Sequence, residues 1–239
     1  MSKRYSKLIF IILLAGFFSF YLSGCLSNEN YTDETYTIES EKAKKVTASI
    51  SIYIGDIAIS GNSQQPLLTS EFNYNLKQFI PKISYVVQND EGKLKISQEE
   101  KTKGLYDSVE NKWTLIFNRT IPLELNIAMG SGDNRLDLSD INLTGLKSIM
   151  GSGDSYIDLT GKYKDNVHVY LIGGLGHTTI NLPEDIGIRL LIDGVFNRIN
   201  CSGFEQIGNF YFNSGFDLSE RKIYITIISG IGKIDVNLI

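Results

Sequence analysis

Apolar and polar residues alternate along most of this chain with a period of two. Ile50, Ile52 and Ile54 alternate with polar neighbours, Gly55-Asp56 interrupts the run, and Ile57 and Ile59 resume it. Further alternating runs cover Ile83 to Val87, Leu94 to Ile96 and Trp113 to Phe117. Such alternation sends one set of side chains to a core and the other to solvent, which predicts strands. Asn89-Asp90-Glu91-Gly92 between two of the runs predicts a hairpin. From Leu26 to about Lys45 the pattern is lost among polar and charged residues. Residues 25–45 therefore read as a flexible tether and 46–122 as a β-rich N-terminal segment that caps the C-terminal half.

From residue 123 onward a triplet of apolar, Asp or Asn, apolar recurs. It stands at Leu136-Asp137-Leu138, Ile157-Asp158-Leu159, Ile180-Asn181-Leu182, Ile199-Asn200-Cys201, Phe216-Asp217-Leu218 and Val236-Asn237-Leu238. Four of these six units carry a glycine pair six residues upstream: Gly130/Gly132, Gly151/Gly153, Gly174/Gly176 and Gly230/Gly232. A period of about 20 residues with strand patterning in each unit is the mark of a solenoid. Each unit divides into two strands, the first exemplified by Leu125, Ile127 and Met129, with the glycines permitting a sharp bend between them. The expected fold class is all-β, a two-sheet β-solenoid over 123–239 with the triplet's apolar residues inward.

The N-terminus carries a different signal. Lys3, Arg4 and Lys7 precede an apolar run from Leu8 to Leu22, closed by Leu22-Ser23-Gly24-Cys25. Basic flank, short apolar stretch and small-residue end read as a signal peptide over 1–24. The closing four residues resemble the prokaryotic lipobox, which implies lipidation of Cys25. An uncleaved anchor and ordinary secretion remain open; in each case the rest lies outside the cytoplasm, anchored to the membrane if Cys25 is lipidated. Cys201 is then left without a cysteine partner, so no disulfide framework is expected. Net charge is −4 and grows more negative when the basic leader is removed, which disfavours nucleic acid as a partner.

The repeated Gly-x-Gly-x-x-x-apolar-Asp-apolar pattern, with Glu71-Phe72-Asn73-Tyr74 and Pro81-Lys82-Ile83-Ser84-Tyr85 upstream, resembles the toast-rack and putative-adhesin domains of prokaryotic surface proteins. The resemblance covers roughly 46–239. It implies a β-solenoid-like fold and leaves function open, some members belonging to envelope-stress regulators.

Chemistry is sparse. Gly-Ser-Gly-Asp at 130–133 and 151–154 lacks the helix that a phosphate loop requires, and its aspartate becomes His177 and Lys233 in later units, against a repeated calcium site. Asp137 and Asp158, expected about 5 Å apart on adjacent rungs, have the spacing of a retaining glycosidase pair, but nothing supplies a cleft. No cofactor, metal or catalytic residue is expected. Ala128, Ile149, Ile172, Leu191 and Ile228 fall on the outward side of the first strands, where polar residues belong, and form a candidate contact stripe. The chain stops at Ile239 directly after a triplet, so its last strand is expected to be an open edge, a place for a homodimer or a partner's strand. The expected function is a lipid-anchored binding, adhesion or scaffold module of the cell envelope, with an unidentified envelope protein or glycan as partner. A stress sensor is the second reading and a polysaccharide-active enzyme a distant third.

Overall fold

The structure, a computed structural model, describes residues 31–62, 66–98, 109–195 and 197–239. Residues 1–24, expected to be a signal peptide, and Cys25 lie outside the described residues. In chain order the strands are β1 (Thr32–Ile38), β2 (Lys45–Ile54), β3 (Asp56–Asn62), β4 (Leu68–Tyr74), β5 (Pro81–Gln88), β6 (Glu91–Gln98), β7 (Asn111–Asn118), β8 (Leu123–Ser131) and β9 (Asn134–Asp137). They continue as β10 (Leu143–Ser152), β11 (Ser155–Asp158), β12 (Val167–Leu182), β13 (Gly187–Gly194), β14 (Asn197–Cys201), β15 (Phe204–Ile207), β16 (Phe210–Asn213) and β17 (Lys222–Leu238). The fold is all-β, and every strand belongs to one large hydrogen-bonded sheet.

Two runs of parallel strands make up this sheet. The first is β6–β2–β8–β10–β12–β17–β13, the second β7–β3–β9–β11–β12–β17–β14. β12 and β17 pass through both, which joins them. Antiparallel strands trim the ends: β5 on β6, β4 on β7 with β1 beyond it, and the β15–β16 hairpin on β13.

Register turns the alternation into ladders of buried side chains. In the first run Leu94, Ala48, Leu125, Leu146, Val169, Ile225 and Leu190 occupy equivalent positions on consecutive strands, all buried. In the second, Leu115, Ile59, Leu136, Ile157, Ile180 and Val236 do the same. These residues share one core, and full burial of each large aliphatic side chain contributes roughly 1.5–3 kcal/mol. Between the runs the chain bends at the second glycine of the first two pairs, while β12 and β17 run on through theirs. Gly132 and Gly153 have φ of +129° and +127°, and a Cβ on Gly153 would overlap the carbonyl oxygen of Gly132 one strand away. Only glycine fits a bend stacked that closely.

Several expectations need correction. Residues 32–38 are not a tether but strand β1, paired along its length with β4. It is an edge strand exposed on most positions, so its core-facing alternation is faint, and it is held through Tyr36 against Phe72 (5.8 Å between rings) and Tyr74 Oη donating to Glu34 Oε1 (2.7 Å). Segment 46–122 is not a separate cap, because β2 and β3 sit inside the stack between β6/β7 and β8/β9.

Phe216-Asp217-Leu218 is a turn rather than a repeat, with Leu218 open to solvent. In Ile199-Asn200-Cys201 the register is offset: Cys201, not Ile199, stands opposite Val236, and Ile199 is exposed because no strand follows β14. The C-terminal strand is not an edge. β17 lies between β12 on one side and β13 and β14 on the other, so the expected homodimer contact through it has no free strand to use. The glycine pairs explain the insertion. Gly230 and Gly232 of β17 stack on Gly174 and Gly176 of β12, whereas β13 and β14 have no such pair to offer.

Candidate binding face

The outward positions of the first run form one continuous surface. One row reads Lys95, Ser49, Asn126, Lys147, Tyr170, Thr226 and Leu191, on consecutive strands. The next reads Ser51, Ala128, Ile149, Ile172, Ile228 and Asp193. Of the stripe expected from the sequence, Ala128, Ile149, Ile172 and Ile228 are thus in-register neighbours, with Ile149 37% and Ile228 38% exposed. Leu191 does not belong to it. It stands in the other row opposite Thr226, and Asp193 ends the stripe, because the irregular unit is displaced by two residues.

Between the two rows lies an open trough of about 260 Å³. Small residues make its floor (Ser49, Ser51, Asn126 and Ala128), Ile149 closes one end, and Lys95 and Lys147 stand on its walls. The depression exists because serine and alanine occupy outward positions where neighbouring strands carry long side chains. Sequence reasoning missed the two lysines, which belong to strands distant in sequence and meet only through the β6–β2–β8–β10 order. On the far side of the Lys95 row from the stripe, the adjoining row ends in a stack. The His168 ring lies 5.1 Å from that of Tyr224, and the Arg189 guanidinium sits 4.7 Å from the Tyr224 ring centre and 5.1 Å from that of Phe210.

The outward side of the second run has a different character. Asp56, Asp133 and Asp154 each accept the backbone N–H of the following strand in the stack, from Asp133 (3.0 Å), Asp154 (2.8 Å) and His177 (2.9 Å). These carboxylates are therefore turn fasteners, with Gly-Ser-Gly-Asp as the setting of Asp133 and Asp154 and Gly55 preceding Asp56. Asp137 and Asp158 are in-register neighbours, as spacing predicted, but each caps its own turn: Ser139 Oγ donates to Asp137 at 2.7 Å and Thr160 Oγ1 to Asp158 at 2.6 Å. Asn118 Oδ1 does the same, accepting from Thr120 Oγ1 at 2.7 Å.

Further along, Asp235 Oδ2 lies 2.5 Å from Lys233 Nζ and 2.7 Å from His177 Nε2. The Lys233 hydrogen bond, then that of His177, holds the Asp235 carboxyl below the usual range, outweighing its partial desolvation. Burial pushes the Cys201 thiol up to about 11, helped by the Asp235 charge. Among the described residues no group of three or more His, Cys, Asp or Glu side chains is arranged to hold a metal. Nor is any helix among them long and apolar enough to cross a membrane.

A body of stacked strands carrying a sided, solvent-open face defines a surface-presenting β protein, and comparison places it more narrowly. Residues 27–181 match the family model described as the N-terminal domain of toast_rack, DUF2154. The chain belongs to this family. It is also similar to a crystal structure described as a putative cell adhesion protein from Clostridium sporogenes, with 33% identity and a TM-score of 0.83 over 86% of this chain and 98% of that one. A putative adhesin from Parabacteroides distasonis matches at 10% identity over 88% of this chain and 98% of its own, but its TM-score of 0.32 carries no argument. No curated protein matches the chain.

Proposed function

We propose that this protein is a lipid-anchored, non-catalytic adhesion module of the cell surface. The observation that carries the reading is the match to a protein described as a putative cell adhesion protein, at 33% identity over 86% of this chain and 98% of that one. The stacking suits the role: we read it as a two-layered β-solenoid of about 20 residues per repeat, a stiff body that holds the face of the first run away from the membrane. Lipidation at Cys25 would supply the attachment.

Adherence of cells carrying the wild-type protein, the Cys25→Ser variant or a deletion tests this directly. Wild-type cells should adhere to host or abiotic surfaces better than deletion cells. The Cys25→Ser cells should release the protein from the membrane fraction and lose the gain. Equal adherence of all three would overturn the adhesion reading, and unchanged membrane association of the variant would overturn the lipid anchor.

A further inference from the structure

We infer that the trough on the first run binds an anionic, hydroxyl-bearing polysaccharide laid along the stacking direction; the inference rests on the adhesion reading and names its ligand class. Lys95, Ser49, Asn126 and Lys147 occupy one row on four consecutive strands. Strands lie about 4.8 Å apart, which puts the backbones of the two lysines roughly 14 Å from each other with hydroxyl and amide groups between them. Neither ammonium pairs with a carboxylate among the described residues. The nearest acid on this face, Glu124, stands in the adjoining row between Thr47 and Gly145, and Lys93 adds a third cation there, opposite Thr47.

The two sides differ in how their cations are paired. The outward side of the second run mixes Asp56, Asp133 and Asp154 with Lys112 and Lys233, and these lysines lie on Glu110 and Asp235, whereas Lys95 and Lys147 are left open to a polyanion. An acidic chain that nevertheless exposes unpaired lysines around a polar depression has a local preference its net charge conceals. The floor selects among anions. Ser49, Ser51 and Asn126 offer donors and acceptors suited to ring hydroxyls, whereas nucleobases need aromatic platforms, and the trough lining contains no aromatic residue. Insertion into a lipid surface needs protruding apolar groups, and here the lysines stand beside a depression rather than a ridge.

Binding of the full-length protein in non-ionic detergent to polygalacturonate, to poly(glycerol phosphate) carrying sugar substituents and to neutral dextran tests the inference. The two anionic polymers should bind at about 50 mM salt and weaken at about 500 mM, with dextran silent. The double variant Lys95→Glu/Lys147→Glu should lose affinity by about tenfold or more, while Lys112→Glu/Lys233→Glu on the other run stays within about twofold. A circular-dichroism melt of each variant confirms that it folds. Absence of binding to both anionic polymers, equal binding of dextran, unchanged affinity in the trough variant, or binding to anionic vesicles or DNA in preference to the polymers would each overturn it. Failure here with intact adherence leaves the adhesion reading standing; polymer binding without adherence removes the adhesion reading alone.

Discussion

Val236 of β17, near the end of the chain, lies in register with Ile180 of β12, and both side chains are fully buried. Cys201 of β14 flanks Val236 on the other side. The last strand is therefore an interior member of the stack. Val236→Asp sets a carboxylate among aliphatics and should cost several kcal/mol of a stability that is typically about 5–15. Ile231→Asp, five residues earlier and more than half exposed between Gly230 and Gly232, should cost under about 1 kcal/mol. Denaturant melts of the two variants decide the matter: equal losses would mean that β17 does not lie inside.

The bends give a second expectation. At Gly153 a side chain meets both a forbidden φ and the Gly132 carbonyl, so Gly153→Ala should lower stability by more than about 2 kcal/mol. Gly145 stands beside a register shift between β10 and β8, but its φ is not positive and its nearest neighbours are at ordinary contact distance. Gly145→Ala should thus be neutral or slightly stabilising. A thermal shift assay on the pair, with comparable shifts for both, would contradict the stacked-glycine account.

Strand positions were legible because a period of two survives in any half-buried strand: Ile50 to Ile54, Ile57 to Ile59 and Trp113 to Phe117 fall in strands, as do the triplets at Leu136, Ile157 and Ile180 but for Leu138 and Leu159, which lie just past the strand ends. The order of strands in space was not, since a buried aliphatic at Val236 is equally content between two strands or at an edge facing a cap. One signal did bear on it. The glycine pairs of 130/132, 151/153, 174/176 and 230/232 stack contiguously, and the unit without a pair, 187–201, is displaced outside them. Of the candidate face, Ala128, Ile149, Ile172 and Ile228 could be aligned from repeat spacing. Leu191 could not, because its unit follows a different register, and Lys95 belongs to no repeat at all.

Cys201 offers a chemical readout of the outermost strand. Its thiol, pushed up to about 11 by burial, should carry little thiolate at about pH 8. Alkylation measured on the peptide containing Cys201 should run roughly a hundredfold slower in the folded protein than in denaturant. Reaction at similar rates in both states would show that β14 is frayed from β17.

The last expectation concerns acid. Asp235 is held by Lys233 and His177, with Asn200 Nδ2 at 3.4 Å, and its carboxyl is depressed mainly by the Lys233 hydrogen bond. A group whose folded pKa is depressed binds a proton less readily in the folded state than in the unfolded chain. Its stabilisation is thus complete above the ordinary carboxylate value of about 3.9 and is lost as pH falls through the lowered folded value. Asp235→Asn should therefore melt below the wild type at about pH 7, and the gap should close as pH drops below about 4. Lys233→Gln should shrink the same gap near neutral pH, because it removes the partner that depresses the carboxyl most. Melting temperatures of the three proteins between about pH 2 and pH 8 provide the check. A gap between wild type and Asp235→Asn that stays constant across this window would show that the carboxylate's charge contributes nothing, and that its role is confined to shape and neutral hydrogen bonding.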